Sequence, residues 1–199
     1  CRTPDFAATM ITSLPNLLTL SRIVAIPALI AGFYLDSITG NWIAFGIFAF
    51  AGITDFFDGW LARVRNEQSA LGQFLDPVAD KLLIASVLML LVAFQRVTDL
   101  SILAAIVILC REIMVSGLRE FLAEIRVGMP VSNLAKWKTT VQILALGFLL
   151  TGVAGDILLP VGWTETIGII LLWVAAALTI YTGYDYLRLG LQHMTDENS

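Results

Sequence analysis

Apolar residues run along this chain in six blocks, separated by short polar links. The first block covers 13–34. Ser13 stands where a helix cap belongs, Pro15 fits an early helical position, and Pro27 in the interior predicts a kink because it has no N–H to give. The remaining blocks cover 42–63, 72–94, 100–122, 134–153 and 166–189. The links between them, 36–41, 65–69, 95–99, 123–132 and 155–165, collect charged and amide side chains, with Gly and Pro in several. Each block reaches the roughly 20 residues that cross a bilayer as a helix. The pattern therefore predicts an all-α integral membrane protein with six transmembrane helices. A single domain over 10–192 holds all of them, and 193–199 reads as a flexible C-terminal tail. Residues 1–9 contain no apolar run and do not resemble a signal peptide. They read as an expression scar or processed tag.

Composition agrees with that class: 58% of residues are hydrophobic and 14% charged, far from a soluble globular balance. A net charge of −4 says little by itself, but no basic tract is present to bind nucleic acid. Cys1 and Cys110 do not make a disulfide framework. The distribution of cations is more informative. Arg63, Arg65, Arg119, Arg126, Lys136, Lys138 and Arg188 fall on one side of the six spans. The other side carries Arg96 alone, beside Asp36, Asp99, Asp156 and Glu165, with Trp42 and Trp163 as interfacial aromatics. Positive-inside reasoning places the first side, with both termini, in the cytoplasm.

The charges inside the apolar blocks then stand out. The stretch from 55 to 80 reads Asp55-Phe-Phe-Asp58-Gly59-Trp-Leu-Ala62-Arg63, then, after eight residues, Gly72-Gln-Phe-Leu-Asp76-Pro-Val-Ala-Asp80. Asp55 and Asp58 are three apart, Asp76 and Asp80 four apart, and both spacings put two carboxylates on one helix face. Carboxylates in an apolar setting need a neutralising partner. Hard divalent cations, Mg²⁺ or Mn²⁺, prefer oxygen ligands and keep positions open for phosphates. Two such ions fit four carboxylates and suit a phosphoryl centre. Asp55, Asp58 and Asp76 are the first choices as ligands. Asp80, one turn beyond Asp76, can reach the same cavity. Lys81 points about 100° away and pairs elsewhere.

This pattern, D-x-x-D-G-x-x-A-R-x8-G-x-x-x-D-x-x-x-D, resembles the signature of the CDP-alcohol phosphotransferase family, with all eight fixed positions present. The resemblance implies that family's membrane fold, a homodimer and CDP-linked lipid substrates. It implies that Asp80 both ligates a metal and takes the proton of the incoming hydroxyl, an act that needs an ionised carboxylate. It places Asp55, Asp58, Gly59, Ala62, Arg63, Gly72 and Asp76 at the CDP-diacylglycerol site, and it adds Ser69 and, through the shorter pattern Pro15-Asn16-Leu-Leu-Thr19, Thr19. Gly59 and Gly72 serve either close backbone approach to the nucleotide or close helix packing. Arg63 suits a pyrophosphate or is an ordinary cytoplasmic-end arginine.

A second constellation bears on the acceptor: Cys110-Arg111-Glu112-Ile-Met-Val-Ser116-Gly-Leu-Arg119-Glu120, followed by Ala135-Lys136-Trp137-Lys138-Thr139-Thr140-x-Gln142. An Arg-Glu pair within an apolar block is expensive unless it serves a site. Arg111 and Arg119 lie about 80° apart around a helix and lean toward one side. Lys136 and Lys138 stand at a helix start, which favours anions, although the positive-inside rule alone also places lysines there. Arg22 adds a cation on the first block, and both it and Arg111 have the alternative of a structural buried pair. Together Arg22, Arg111, Arg119, Lys136 and Lys138 predict an acceptor that carries its own phosphate. The two stretches resemble the bacterial phosphatidylglycerophosphate synthases within the family. That likeness implies attack of the 1-hydroxyl of sn-glycerol 3-phosphate on CDP-diacylglycerol, in the inner membrane, with the active site facing the cytoplasm. Inositol phosphate or serine as acceptor is the nearest rival. A divalent-cation transporter is the rival from another class, since intramembrane acids also mark ion paths.

Overall fold

The computed structural model describes the backbone of residues 14–35, 37–65, 70–124 and 133–196, and the side chains of 19–35, 37–54, 75–123 and 134–188. Ser13, the expected first cap, and most of the 65–69 and 123–132 links lie outside the described residues. Among those described there are only helices and connections, as the apolar pattern predicts. The chain divides into two compact units, Cys1–Leu90 and Leu91–Ser199.

The first unit contains α1 (Leu14–Tyr34), α2 (Ile38–Arg65) and most of α3 (Ala70–Ala93). Pro27 is accommodated inside α1 without ending it. The 36–41 stretch, predicted as a turn, is helical from Ile38. The reason is local: Ser37 Oγ accepts the N–H of Gly40 at 3.0 Å, the N-cap bond that starts a helix. Gly40 is also where α2 meets α1. A Cβ there would lie 2.6 Å from the carbonyl oxygen of Gly32, so only a glycine permits this crossing. Leu29 and Phe33 of α1 and Ala44, Phe48 and Ala51 of α2 close the contact.

The second unit contains α4 (Ser101–Glu124), α5 (Asn133–Thr151), a 3₁₀ turn (Gly152–Ile157) and α6 (Trp163–Asp196). α6 packs on both α4 and α5. Its buried side is a stripe at helical spacing: Thr164, Gly168, Leu172, Ala175, Ala176, Thr179, Thr182, Gly183 and Tyr186. Most are small, which brings backbones close where no water drives helices together. Ala175 and Ala176 are thus spent inside the chain, while Trp173 and Ala177 stay exposed. The helix also outruns the predicted end near 189 and covers part of the predicted tail, continuing to Asp196. Leu187, Arg188, Leu189, Leu191 and Gln192 are all good helix formers, and one Gly190 does not stop them.

The outer faces carry Val24, Phe50, Met89, Leu103, Ile113 and Ile180, all strongly exposed, an arrangement suited to lipid. By length and composition, Ser101–Ala123, Leu134–Ile157 and Trp163–Arg188 can each cross a membrane. Thr19–Tyr34 and Ile38–Thr54 are shorter apolar stretches within the described residues. At 28 and 34 residues, α2 and α6 are about 42 and 51 Å long, longer than the ~30 Å hydrocarbon core.

Arg96 has a structural task. Its Nη1 donates to the carbonyls of Leu149 at 3.0 Å and Leu150 at 2.6 Å, closing the end of α5, which its positive charge also favours. Both residues are buried. Arg96→Ala should therefore lower unfolding stability by about 2 kcal/mol, measured by thermal or denaturant unfolding in detergent. A change indistinguishable from zero would show that the carbonyls find other donors.

Candidate functional site

The first unit presents the second half of the aspartate motif. Asp76 is half-buried near the start of α3, and its Oδ1 accepts the hydroxyl hydrogen of Thr19 from α1. That bond joins the two stretches, around Thr19 and around Asp76, that the sequence singles out for the same ligand. Arg22, three residues beyond Thr19 on the same face of α1, is 2% exposed. Asp80 follows Asp76 by one turn and is exposed. Lys81 does not compete for it: its Nζ turns back and donates to the Pro77 carbonyl at 3.3 Å, in line with the expectation that it pairs elsewhere. Asp55, Asp58, Gly59, Ala62 and Arg63 belong to the helical backbone of α2 and Gly72 to that of α3. Their side chains, and all of Ser69, lie outside the described residues.

In the second unit, α4, α5 and α6 meet on a polar junction. Glu112 of α4 pairs with Lys138 of α5, whose side chain is almost wholly buried, and also sits 3.5 Å from Arg111. Arg111 Nη2 donates to Thr182 Oγ1 of α6 at 3.1 Å. Thr182 in turn donates to the Leu178 carbonyl at 2.8 Å. Arg111 crosses α6 over Gly183, where a Cβ would lie 3.1 Å from the arginine Cγ. Its guanidinium stands 5.6 Å from the ring centre of Tyr186, and that of Arg119 stands 5.9 Å from the same ring. Both are cation–π distances.

The structure thus brings together three of the cations predicted for the acceptor, Arg111, Arg119 and Lys138. Lys136 is exposed, about 200° around α5 from Lys138. Lys138 is buried, with its ammonium drawn inward onto Glu112. The alternative for Arg111 is partly realised, since it does contact Glu112. Thr182 and Tyr186 have no place in the motif reading. Their signal is the helical spacing of Thr179, Thr182, Gly183 and Tyr186, a polar continuation of an otherwise small and apolar stripe.

A helical membrane protein with a carboxylate-bearing helix in one unit and a cationic junction in the other is the class these features define. The comparisons with known proteins make it specific. Residues 12–181 match the profile of the family described as CDP-alcohol phosphatidyltransferase, and the chain belongs to that family. Relatives named CDP-diacylglycerol--glycerol-3-phosphate 3-phosphatidyltransferase extend over nearly the whole chain. The one from Rickettsia bellii is 45% identical over 88% of this chain and 94% of its own. Those from Haemophilus influenzae, at 40% over 92% and 96%, and Cereibacter sphaeroides, at 35% over 93% and 98%, carry the same name.

Removing one side of a buried ion pair strands the other. Glu112→Ala should cost about 3 kcal/mol of stability through the uncompensated Lys138. Lys136→Ala at the exposed position should stay within about 0.5 kcal/mol. Equal effects at the two sites, measured by unfolding in detergent, would contradict the buried pairing.

Proposed function

We propose that this protein transfers the phosphatidyl group of CDP-diacylglycerol to sn-glycerol 3-phosphate, giving phosphatidylglycerophosphate and CMP. The observation that carries the reading is the convergence of Arg111, Arg119 and Lys138, with Glu112 as the carboxylate paired among them. Serine brings one carboxylate together with its own ammonium and no net charge, whereas a phosphate monoester brings nearly two negative charges and three acceptor oxygens, which suit several cations. Between glycerol phosphate and inositol phosphate, the shared name of the full-length relatives favours the first. Membership in a transferase family also removes the reason to read the aspartates as an ion path.

The four aspartates supply carboxylate oxygens only, the donor chemistry that Mg²⁺ or Mn²⁺ prefers. Among the described residues no group of three such ligands is assembled, and the side chains of Asp55 and Asp58 lie outside them. Asp76, oriented by Thr19, and the exposed Asp80 fit the role. Asp55, Asp58, Asp76 and Asp80 would hold two ions, which when bound neutralise charge on the phosphoryl oxygens. Asp80 accepts the proton of the acceptor's 1-hydroxyl. That oxygen bonds to the β-phosphorus of CDP-diacylglycerol, the bond from this phosphorus to CMP breaks, and CMP leaves. Thr19 contributes by holding Asp76. Thr19, Asp55, Asp58, Gly59, Ala62, Arg63, Ser69, Gly72 and Asp76 receive the CDP-lipid. Arg22, Arg111, Arg119, Lys136 and Lys138 bind the acceptor phosphate.

The same reading gives one catalytic domain over 10–192, six membrane crossings, and a homodimer in the bacterial inner membrane. The site and both termini face the cytoplasm, a placement supported by the distribution of Arg and Lys.

Purified protein with CDP-diacylglycerol and Mg²⁺ should release CMP when given glycerol 3-phosphate, and not with serine or inositol phosphate. Chelation of divalent ions should stop release. Asp80→Asn should lower turnover by at least about a hundredfold, as loss of a general base does. Preference for another acceptor in the panel, or full activity after chelation, would refute the proposal.

A further inference from the structure

Tyr186 is 4% exposed, yet among the described residues its hydroxyl has no hydrogen-bond partner. A buried phenolic O–H normally finds one, and leaving it unmade costs stability. The Nε of Arg111, in contact range of the same ring, is a second buried donor without a partner. Around this ring, Arg111 and Arg119 converge although like charges repel, and among the described residues Arg119 makes no ion pair. Glu112 does not balance the set, because it also faces the Lys138 ammonium. The half-buried Arg111, the exposed Arg119 and two buried donors without partners, gathered round one ring, suit an oxyanion with several acceptor oxygens. Gly183 and Thr182 complete it from the same helix. The first leaves room for the arginine stem and the second fixes one end of the guanidinium.

We propose that Tyr186 is a further binding residue for the acceptor's phosphate, its ring seating Arg111 and Arg119 and its hydroxyl donating one hydrogen bond to a phosphate oxygen. This rests on glycerol 3-phosphate as the acceptor, and it adds a residue on α6 to the cations that the sequence motifs contribute.

Tyr186→Phe retains the ring and removes only the donor. It should raise KM for glycerol 3-phosphate about tenfold, the loss of one hydrogen bond to a charged group, while kcat and KM for CDP-diacylglycerol stay within about twofold. Tyr186→Leu, which also removes the platform, should raise the same KM further. An unchanged acceptor KM in Tyr186→Phe overturns the proposal. So does a parallel loss in kcat and both KM values with a lowered unfolding temperature, the mark of a purely structural tyrosine. Wild-type protein that turns over another acceptor but not glycerol 3-phosphate removes the underlying reading, a result distinct from an active wild type with an unaffected variant, and overturns the proposal with it. A readout independent of activity and of the variant's folding is a 3-fluorotyrosine placed at 186 in the otherwise unaltered protein. Its ¹⁹F signal should shift with glycerol 3-phosphate and with inorganic phosphate but not with glycerol. No shift at saturating glycerol 3-phosphate refutes the contact.

Discussion

A lysine ammonium cannot remain charged among apolar helices unless a carboxylate stands beside it, and in this protein that carboxylate comes from a different helix. Lys138 on α5 and Glu112 on α4 hold each other, and Arg111, next to Glu112, reaches on to Thr182 of α6. α4 and α5 are thereby fixed in rotation about their axes, since turning either would strand a charge, and α6 is tied to them by the Thr182 hydrogen bond. The remaining packing of this unit can be nonspecific in chemistry because this junction is not. Leucines and alanines tolerate small rotations, whereas a buried ion pair does not.

Close approach is the second requirement, and α6 meets it with small side chains. Gly168, Ala175, Ala176 and Gly183 bring its backbone near its neighbours, and Gly183 lets Arg111 lie across it. The same economy appears in the first unit, where Gly40 and Gly32 allow α1 and α2 to cross. In the second unit the polar junction lies beside the close approach at Gly183, on helices and not in a connection. Long polar side chains are held more tightly there than a connection would hold them. In the first unit Thr19 is likewise placed by a helix, and its buried hydroxyl is bonded to one oxygen of the Asp76 carboxylate.

Much of this was legible beforehand. Among the described residues the apolar blocks are helical because backbone groups in lipid have no water to satisfy them, so long apolar runs have one practical conformation. The ends were less secure. The helix that opens at Ile38 depends on the Ser37 cap, visible in the sequence but masked by Asp36 and Gly40, which suggest a turn. The extension of α6 to Asp196 follows intrinsic helix preference where the hydropathy pattern has already ended.

Residue spacing alone determined the helical membrane class, the aspartate pairs sharing a helix face, and the excess of cations suited to a phosphate, because these follow from local periodicity and charge cost. Which cations work together was decided only by the tertiary structure. Lys136 and Lys138 are nearly equivalent as letters, yet only Lys138 turns inward, because Glu112 sits opposite it on another helix. Tyr186 was invisible for the same reason: one of three tyrosines, 181, 184 and 186, near the end of an apolar run looks interfacial, and only packing sets two guanidiniums from α4 against its ring. Pairings between distant segments depend on how helices rotate and approach, and one-dimensional periodicity does not carry that information.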